Sequence, residues 1–263
     1  MTNVKAFLGD AVIYGIGTAI KKFIGIFLLP FYARALTPEQ YGIIDVLANA
    51  VFFVSVFCTV GLNGASARFF YKADNDYRRG EVLFTSITIR ICLSLLVVGL
   101  LLPFSADISY QLFKTNNYKW AVFISCLLVP VSILSEDQSS MYRFYRKAIQ
   151  FNVITIMQSL LNVGFGIYLV ILLHKGVIGA NLASFLSSFL VILVSFIVFS
   201  RKKYIFSFNT TIAKEMLKYG FPLIGVGLLG WVYSVSDRYF LLYYKDLKEI
   251  GLFSIGNTFS QPL

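Results

Sequence analysis

The chain has 263 residues, 57% of them hydrophobic and 14% charged, with 23 Lys and Arg against 13 Asp and Glu for a formal net charge of +10. A soluble domain carries roughly a quarter charged residues, so this composition and a mean hydropathy of +0.74 exclude water as the main solvent. The positive charge does not indicate a nucleic-acid partner, because no basic DNA- or RNA-binding module lies between the apolar blocks.

Hydropathy predicts α-helical membrane spans in chain order at 11–33, 41–62, 82–103, 118–135, 151–173, 177–199 and 219–236. The blocks are continuous and lack the alternation of a barrel strand, so the fold class is all-α, a polytopic transmembrane helix bundle. An eighth block opens at Ile250 and is still apolar at Leu263, so the sequence is expected to be part of a longer chain. Lys21 and Lys22 interrupt the first block, which argues against a cleaved signal peptide. Between the first two spans, Thr37-Pro38-Glu39 predicts a sharp helix start: an N-cap, a proline at the first helical position and an acid in the first turn.

Loops after the second, fourth and sixth spans hold twelve basic residues, from Arg68 to Lys218. The loops of opposite parity hold seven: Arg34, Lys114, Lys119, Lys175, Arg238, Lys245 and Lys248. The positive-inside rule then predicts a cytoplasmic amino terminus. The most basic stretch, 200–218, is read as a linker between a six-helix lobe (1–199) and the start of a second lobe (219–263). Cys58, Cys92 and Cys126 lie inside apolar blocks with no metal-ligand spacing to His174, so no metal or cofactor is expected.

Charges inside a bilayer cost several kcal/mol unless hydrated or paired, which makes them functional candidates. Lys21 and Lys22 fall about 15 Å into the first span, and Arg90 about 12 Å into the third, at 1.5 Å per residue. Polar stripes accompany them: Asp45, Asn49, Thr59 and Asn63 on the second block; Thr155, Gln158 and Asn162 on the fifth; Asn181, Ser184 and Ser188 on the sixth. Such stripes serve either as interhelical hydrogen-bonding contacts or as the lining of a hydrated interior. Asp45 is read as the only acid within a span away from its ends, with Glu136-Asp137 and Asp237-Arg238 taken as interfacial end-caps. One carboxylate does not neutralise three cations, so an uncompensated cationic interior with an anionic cargo is expected, phosphate first. A lysine kept neutral by burial is the alternative.

The stretch TAIKKFIGIFLLPFYARALTPEQYGIIDVLANAV (18–51), with GLNGASARFFYK (61–72) and FPLIGVGLLGWVYSVSDRYFLLYY (221–244), resembles bacterial polysaccharide flippases. These are the O-antigen, Wzx-type members of the multidrug/oligosaccharidyl-lipid/polysaccharide exporter superfamily. The resemblance implies the amino-terminal lobe of a two-lobed, MATE-like transporter of twelve to fourteen helices in the bacterial cytoplasmic (inner) membrane. It implies a non-enzymatic flippase for undecaprenyl-pyrophosphate-linked oligosaccharide, with membrane lipids, a polysaccharide polymerase and a chain-length regulator as partners. On that basis Lys21, Lys22 and Arg90 are expected to hold the pyrophosphate, and Asn49, Gln158 and Asn162 the sugar. Arg34 and Arg238 would receive the head group near the outer ends, while Asp45 and Asp237 are candidates for ion coupling. A multidrug exporter of the same superfamily is the alternative transporter; a membrane-embedded glycosyltransferase or polymerase is the alternative enzyme.

Overall fold

A computed structural model describes residues 2–197 and 205–260, all in helices and their connections. The helices are α1 (Thr2–Ala35), α2 (Pro38–Thr59), α3 (Leu62–Lys72), α4 (Asp76–Leu101), α5 (Ser105–Phe113) and α6 (Lys119–Phe144). They continue with α7 (Ala148–Gly166, extended by a π-helical turn Ile167–Leu172), α8 (Gly176–Ser195), α9 (Thr210–Gly220), α10 (Leu223–Tyr244) and α11 (Leu247–Ser260). Among the described residues six helices are long and apolar enough to span a bilayer, or seven when α9 and α10, bent by 46°, count as one. The protein is a multi-pass membrane protein.

The predicted start of α2 is built as a capping box: Gln40 N donates to Thr37 Oγ1 at 3.2 Å, and Thr37 N donates to Gln40 Oε1 at 3.2 Å. The helix stops at Val60 and Gly61, both left-handed (φ 47° and 64°), where the chain turns into the short helix α3. Hydropathy alone does not register α3 or α5. α3 is held by its apolar side, where Leu62 and Ala65 pack with Val82, Ile212 and Met216 of α4 and α9. The main apolar core joins Ile43, Val46 and Leu47 of α2 to Val122, Val129 and Ile133 of α6, with Val177 of α8 and Ile250 of α11. Cys58 and Cys126 are buried in the core, whereas Cys92 is exposed on α4.

The proposed linker falls partly outside the described residues, including Arg201, Lys202 and Lys203, as does the end of the sixth span. Its remainder is docked on α4. Ser207 Oγ donates to Glu81 Oε1 at 3.1 Å, Asn209 N donates to Thr85 Oγ1 at 3.1 Å, and α9 then packs on α3 and α4. This gathers Arg68, Arg78, Arg79, Lys214 and Lys218 at one end of the bundle. The α1–α2 connection lies at the other end, where Gln40 approaches Gly176.

α11 begins as α2 does. Asp246 Oδ1 accepts from Glu249 N at 3.0 Å, and the run from Asp246 to Ser254 parallels that from Thr37 to Asp45, with Gly251 standing where α2 has Gly42. The two helices cross at those glycines in reciprocal fashion. A Cβ on Gly42 would collide with the Leu247 carbonyl, and one on Gly251 would collide with the Pro38 carbonyl. Corresponding residues therefore meet about a local two-fold axis, as in an isologous interface. Asp45 and Ser254, 209 residues apart, are such a pair: Ser254 Oγ donates to Asp45 Oδ2 at 2.6 Å.

Candidate substrate groove

α1 seats Leu28 and Tyr32, with Leu36 just beyond its end, against Val170 and Ala180, leaving the middle of the helix less covered. At Gly15 and Gly25 a Cβ would meet nothing within 4 Å. Lys21 and Lys22, adjacent in sequence and about 100° apart around the helix, line two different cavities that share Gly25.

The first cavity, about 320 Å³, lies between α1, α7 and α8. Its walls are Lys21, Gln158, Ser159, Asn162, Ser184, Ser187 and Ser188, with Leu28 and Val163 as the apolar floor. The amides and hydroxyls are mutually fixed: Gln158 Nε2 donates to Ser188 Oγ at 3.0 Å, and Asn162 Nδ2 donates to Ser184 Oγ at 3.1 Å. Lys21 makes no ion pair among the described residues. One cation beside a wall of preorganised hydroxyls and amides suits a ligand carrying one anionic group and many hydroxyls.

Asn181 of the same α8 stripe does not belong to this wall. It donates to Ala121 O (3.1 Å) and Ser125 Oγ (2.9 Å) and ties α8 to α6, so that part of the stripe is interhelical contact.

The second cavity, about 300 Å³, is lined by Lys22, Tyr41, Asp45, Arg238, Ser254 and Asn257, between α1, α2, α10 and α11. Here the expectation of an end-cap at Asp237-Arg238 is corrected: α10 runs on to Tyr244, and Arg238, 6% exposed, lies inside it. Arg238 Nε donates to Asp45 Oδ2 at 2.8 Å, and Nη1 donates to Asp237 Oδ1 at 3.0 Å and to Ser234 O at 2.9 Å. Asp45 and Asp237 are thus the counter-ions of Arg238.

Arg90 is also compensated, contrary to the reading of an unpaired cationic interior. α6 continues to Phe144, so Glu136-Asp137 is inside the helix rather than at its end. Arg90, 3% exposed, forms an ion pair with Asp137, 4% exposed, and donates to Asn63 Oδ1 and, at 3.0 Å, to Ser86 Oγ. Ser66 and Ser86 share a hydrogen bond of 2.7 Å, and Asn63 Nδ2 donates to Glu136 Oε1 at 3.1 Å. This network locks α3, α4 and α6 and does not line the Lys21 groove. Asn49 is also elsewhere: its carbonyl accepts from Trp231 Nε1 at 3.4 Å in an aromatic contact of α2 with α10 that includes Phe53. Arg34 is exposed at the α1–α2 end.

Of the sequence-nominated residues, the fold therefore brings together Lys21, Gln158 and Asn162 in one cavity, and Lys22, Asp45 and Arg238 in another. Sequence reasoning misses Asp137 and Ser254 as partners. Asp137 can be found by noting that no Gly or Pro follows it before Phe144, so the helix does not have to end with the apolar block. Ser254 can be found from the repeated cap-and-glycine pattern.

Residues 7–262 match the family model described as "Polysaccharide biosynthesis protein". An uncharacterized membrane protein of Haemophilus influenzae is 22% identical over 256 residues, which is 95% of this chain and 60% of that protein. The MATE multidrug transporter DinF-BH superposes with a TM-score of 0.78 at 18% identity, over 97% of this chain and 60% of that one. A MOP superfamily transporter from Pyrococcus furiosus, whose structural description reports a binding pocket of reverse polarity and suggests a different function, gives 0.68 at 17% identity, over 97% of this chain and 63% of that one. The chain thus spans about 60% of the length of the relatives it matches.

Proposed function

Because the chain belongs to the polysaccharide biosynthesis protein family and has the helical fold of the MATE transporters, we propose that it is the amino-terminal part of a flippase for diphosphate-linked lipid oligosaccharide. The observation that carries this reading is the Lys21 groove, where a cation with no carboxylate partner among the described residues faces fixed hydroxyl and amide groups. Lys21 holds the diphosphate, and Gln158, Asn162 and the α8 serines hydrogen-bond sugar hydroxyls, while the polyprenyl tail stays in lipid. Lys22 and Arg238 form a second anion-binding position on the other side of Gly25. Arg34 meets the head group at the α1–α2 end. The basic end at α3, α4 and α9 faces the cytoplasm of a bacterial inner membrane, in line with the positive-inside rule. Two lobes rocking about these sites would give alternating access. A polysaccharide polymerase and a chain-length regulator would act on the delivered units.

The groove disfavours a cationic drug as cargo, since Lys21 would repel it. Arg90 serves this function by fixing the bundle, not by touching cargo.

In a strain lacking its own flippase, the full-length protein should restore surface polysaccharide. Lys21→Glu and Lys22→Glu should each abolish that restoration with unchanged protein levels in the membrane. Normal polysaccharide in the Lys21→Glu strain would refute the assignment.

A further inference from the structure

A third cavity, about 200 Å³, opens at the basic end of the bundle, where the end of α3, the first turns of α4 and α9 meet. Phe69, Val82 and Ile212 form its apolar floor, and four charged side chains stand around them: Lys72, Asp74, Arg78 and Glu215. The backbone that carries them is fixed. Asn75 Oδ1 accepts from Arg78 N at 2.8 Å and starts α4, while Asn209 Oδ1 accepts from Thr211 N at 3.0 Å and from Ile212 N at 3.1 Å and starts α9. The buried Ile212 and Met216 seat α9 and so bring Glu215 to the same hollow.

Two other arginines of this end are already engaged. Arg68 lies over the Tyr219 ring at 4.4 Å, and Arg79 pairs with Asp76 at 3.0 Å and lies over the Phe70 ring at 5.5 Å. Lys72, Asp74, Arg78 and Glu215, by contrast, form no ion pair among the described residues. Opposite charges that line one small hollow and stay apart leave both signs open to a ligand. Two are positive and two negative, so the lining is formally neutral although the end as a whole is basic. An anionic head group would be attracted by the cations and repelled by Asp74 and Glu215. A zwitterion with a phosphate and a primary ammonium satisfies both signs through charge-assisted hydrogen bonds. A quaternary ammonium has no N–H to donate.

The hollow also stands at the right depth. α4 turns apolar from Val82 onward and runs into the bilayer, and the exposed Tyr71 and Tyr77 beside it are of the residue type that marks the head-group level. We propose that this cavity binds a phospholipid with a phosphoethanolamine head group, drawn from the leaflet at the basic end. Lys72 and Arg78 hold the phosphate, Asp74 and Glu215 hold the ammonium, and the acyl chains run along α4 past Phe69 and Val82. The lipid fastens α9, which leads through a 46° bend into α10, to α3 and α4. The site needs only the membrane placement of the chain and is independent of what the Lys21 groove carries.

The test titrates the delipidated full-length protein in detergent with dioleoyl phosphatidylethanolamine, phosphatidylcholine and phosphatidylglycerol. Bound lipid is counted by native mass spectrometry, and the unfolding temperature is followed in parallel. The ethanolamine lipid should bind about tenfold more tightly than the choline lipid, as expected for a hydrogen bond to a charged group. Asp74→Asn/Glu215→Gln should erase that preference and bind the glycerol lipid at least as well as the parent does. Its lipid-free unfolding temperature should not change, because neither carboxylate gives up an ion pair among the described residues. Arg78→Gln should weaken the ethanolamine and glycerol lipids alike, and Glu249→Gln, an exposed carboxylate at the opposite end, should keep the preference. Equal binding of the ethanolamine and choline lipids by the parent would overturn the proposal, as would a preference that survives in Asp74→Asn/Glu215→Gln. Tightest binding of the glycerol lipid by the parent would also overturn it, in favour of a general anionic-lipid surface.

Discussion

Arg90→Ala should be more damaging than replacing Arg90 and Asp137 together. Both residues are almost completely buried and face each other between α4 and α6, with Asn63 and Ser86 completing the shell. Removing one member of a buried pair strands the other and costs about 3–5 kcal/mol, whereas an apolar pair of similar volume is often neutral. Against a typical total stability of roughly 5–15 kcal/mol, the single change removes a large share. Arg90→Ala and Asp137→Ala should each lower the unfolding temperature in detergent and deplete the protein from membranes. The double variant Arg90→Met/Asp137→Leu should recover most of that loss, short of the penalty for leaving Asn63 with one bond fewer, about 1 kcal/mol. It should also restore surface polysaccharide. A double variant as stable as the parent but inactive would show that Arg90 contacts cargo after all.

Lys21→Gln should leave stability unchanged and weaken binding of a prenyl diphosphate. Lys21 has no ion pair to lose among the described residues, and it lines an open groove, so truncating its charge strands nothing. A hydrogen bond to a charged group is worth about 1.5–3 kcal/mol, which at 1.4 kcal/mol per decade is roughly a ten- to hundredfold loss of affinity. Binding of the neutral prenyl alcohol should not change. Lys21→Arg should retain most of the affinity. Equal binding of the diphosphate by the parent and Lys21→Gln proteins, measured by equilibrium dialysis, would remove Lys21 from the site.

The two predictions differ in kind because the three cations singled out by depth in the bilayer have different surroundings. Hydropathy locates a buried charge but not its partner. The Asp137 carboxylate is 47 positions from Arg90 in sequence, and in a window average it only marks the end of an apolar block; hydropathy therefore ends the fourth span at Ser135 although the helix runs nine residues further. The same averaging puts Arg238 at an interface, because its neutralisation by Asp45 comes from a helix far away in the chain. Local signals carry further. Thr37, Pro38 and Gln40 act within one helical turn, and α2 starts where the sequence places it. The groove is half legible: Gln158 and Asn162 share a stripe with Lys21 opposite, but Asn49 has the same residue type and a different fate, because α10 covers it. The likeness of α2 and α11 is hard to see in the sequence since it consists of a cap, an acid or amide and one glycine among apolar residues of different kinds.

α3 and α5 illustrate a further limit. They are eleven and nine residues long, too short for a span, and are stabilised by neighbours rather than by their own propensity. Their positions follow only from the helices around them, and α3 is what carries Asn63 to Arg90.

Movement of a lipid-linked oligosaccharide between leaflets is the most direct measure of the central claim. The full-length protein would be reconstituted into vesicles with a fluorescent prenyl-diphosphate oligosaccharide, and the fraction reached by a membrane-impermeant quencher followed over time. The parent protein should equilibrate the lipid across the bilayer, with Lys21→Glu no faster than protein-free vesicles. Equal rates for the parent and Lys21→Glu proteins, or equal movement of a neutral glycolipid bearing the same sugar, would contradict a cargo recognised through its diphosphate by the first helix.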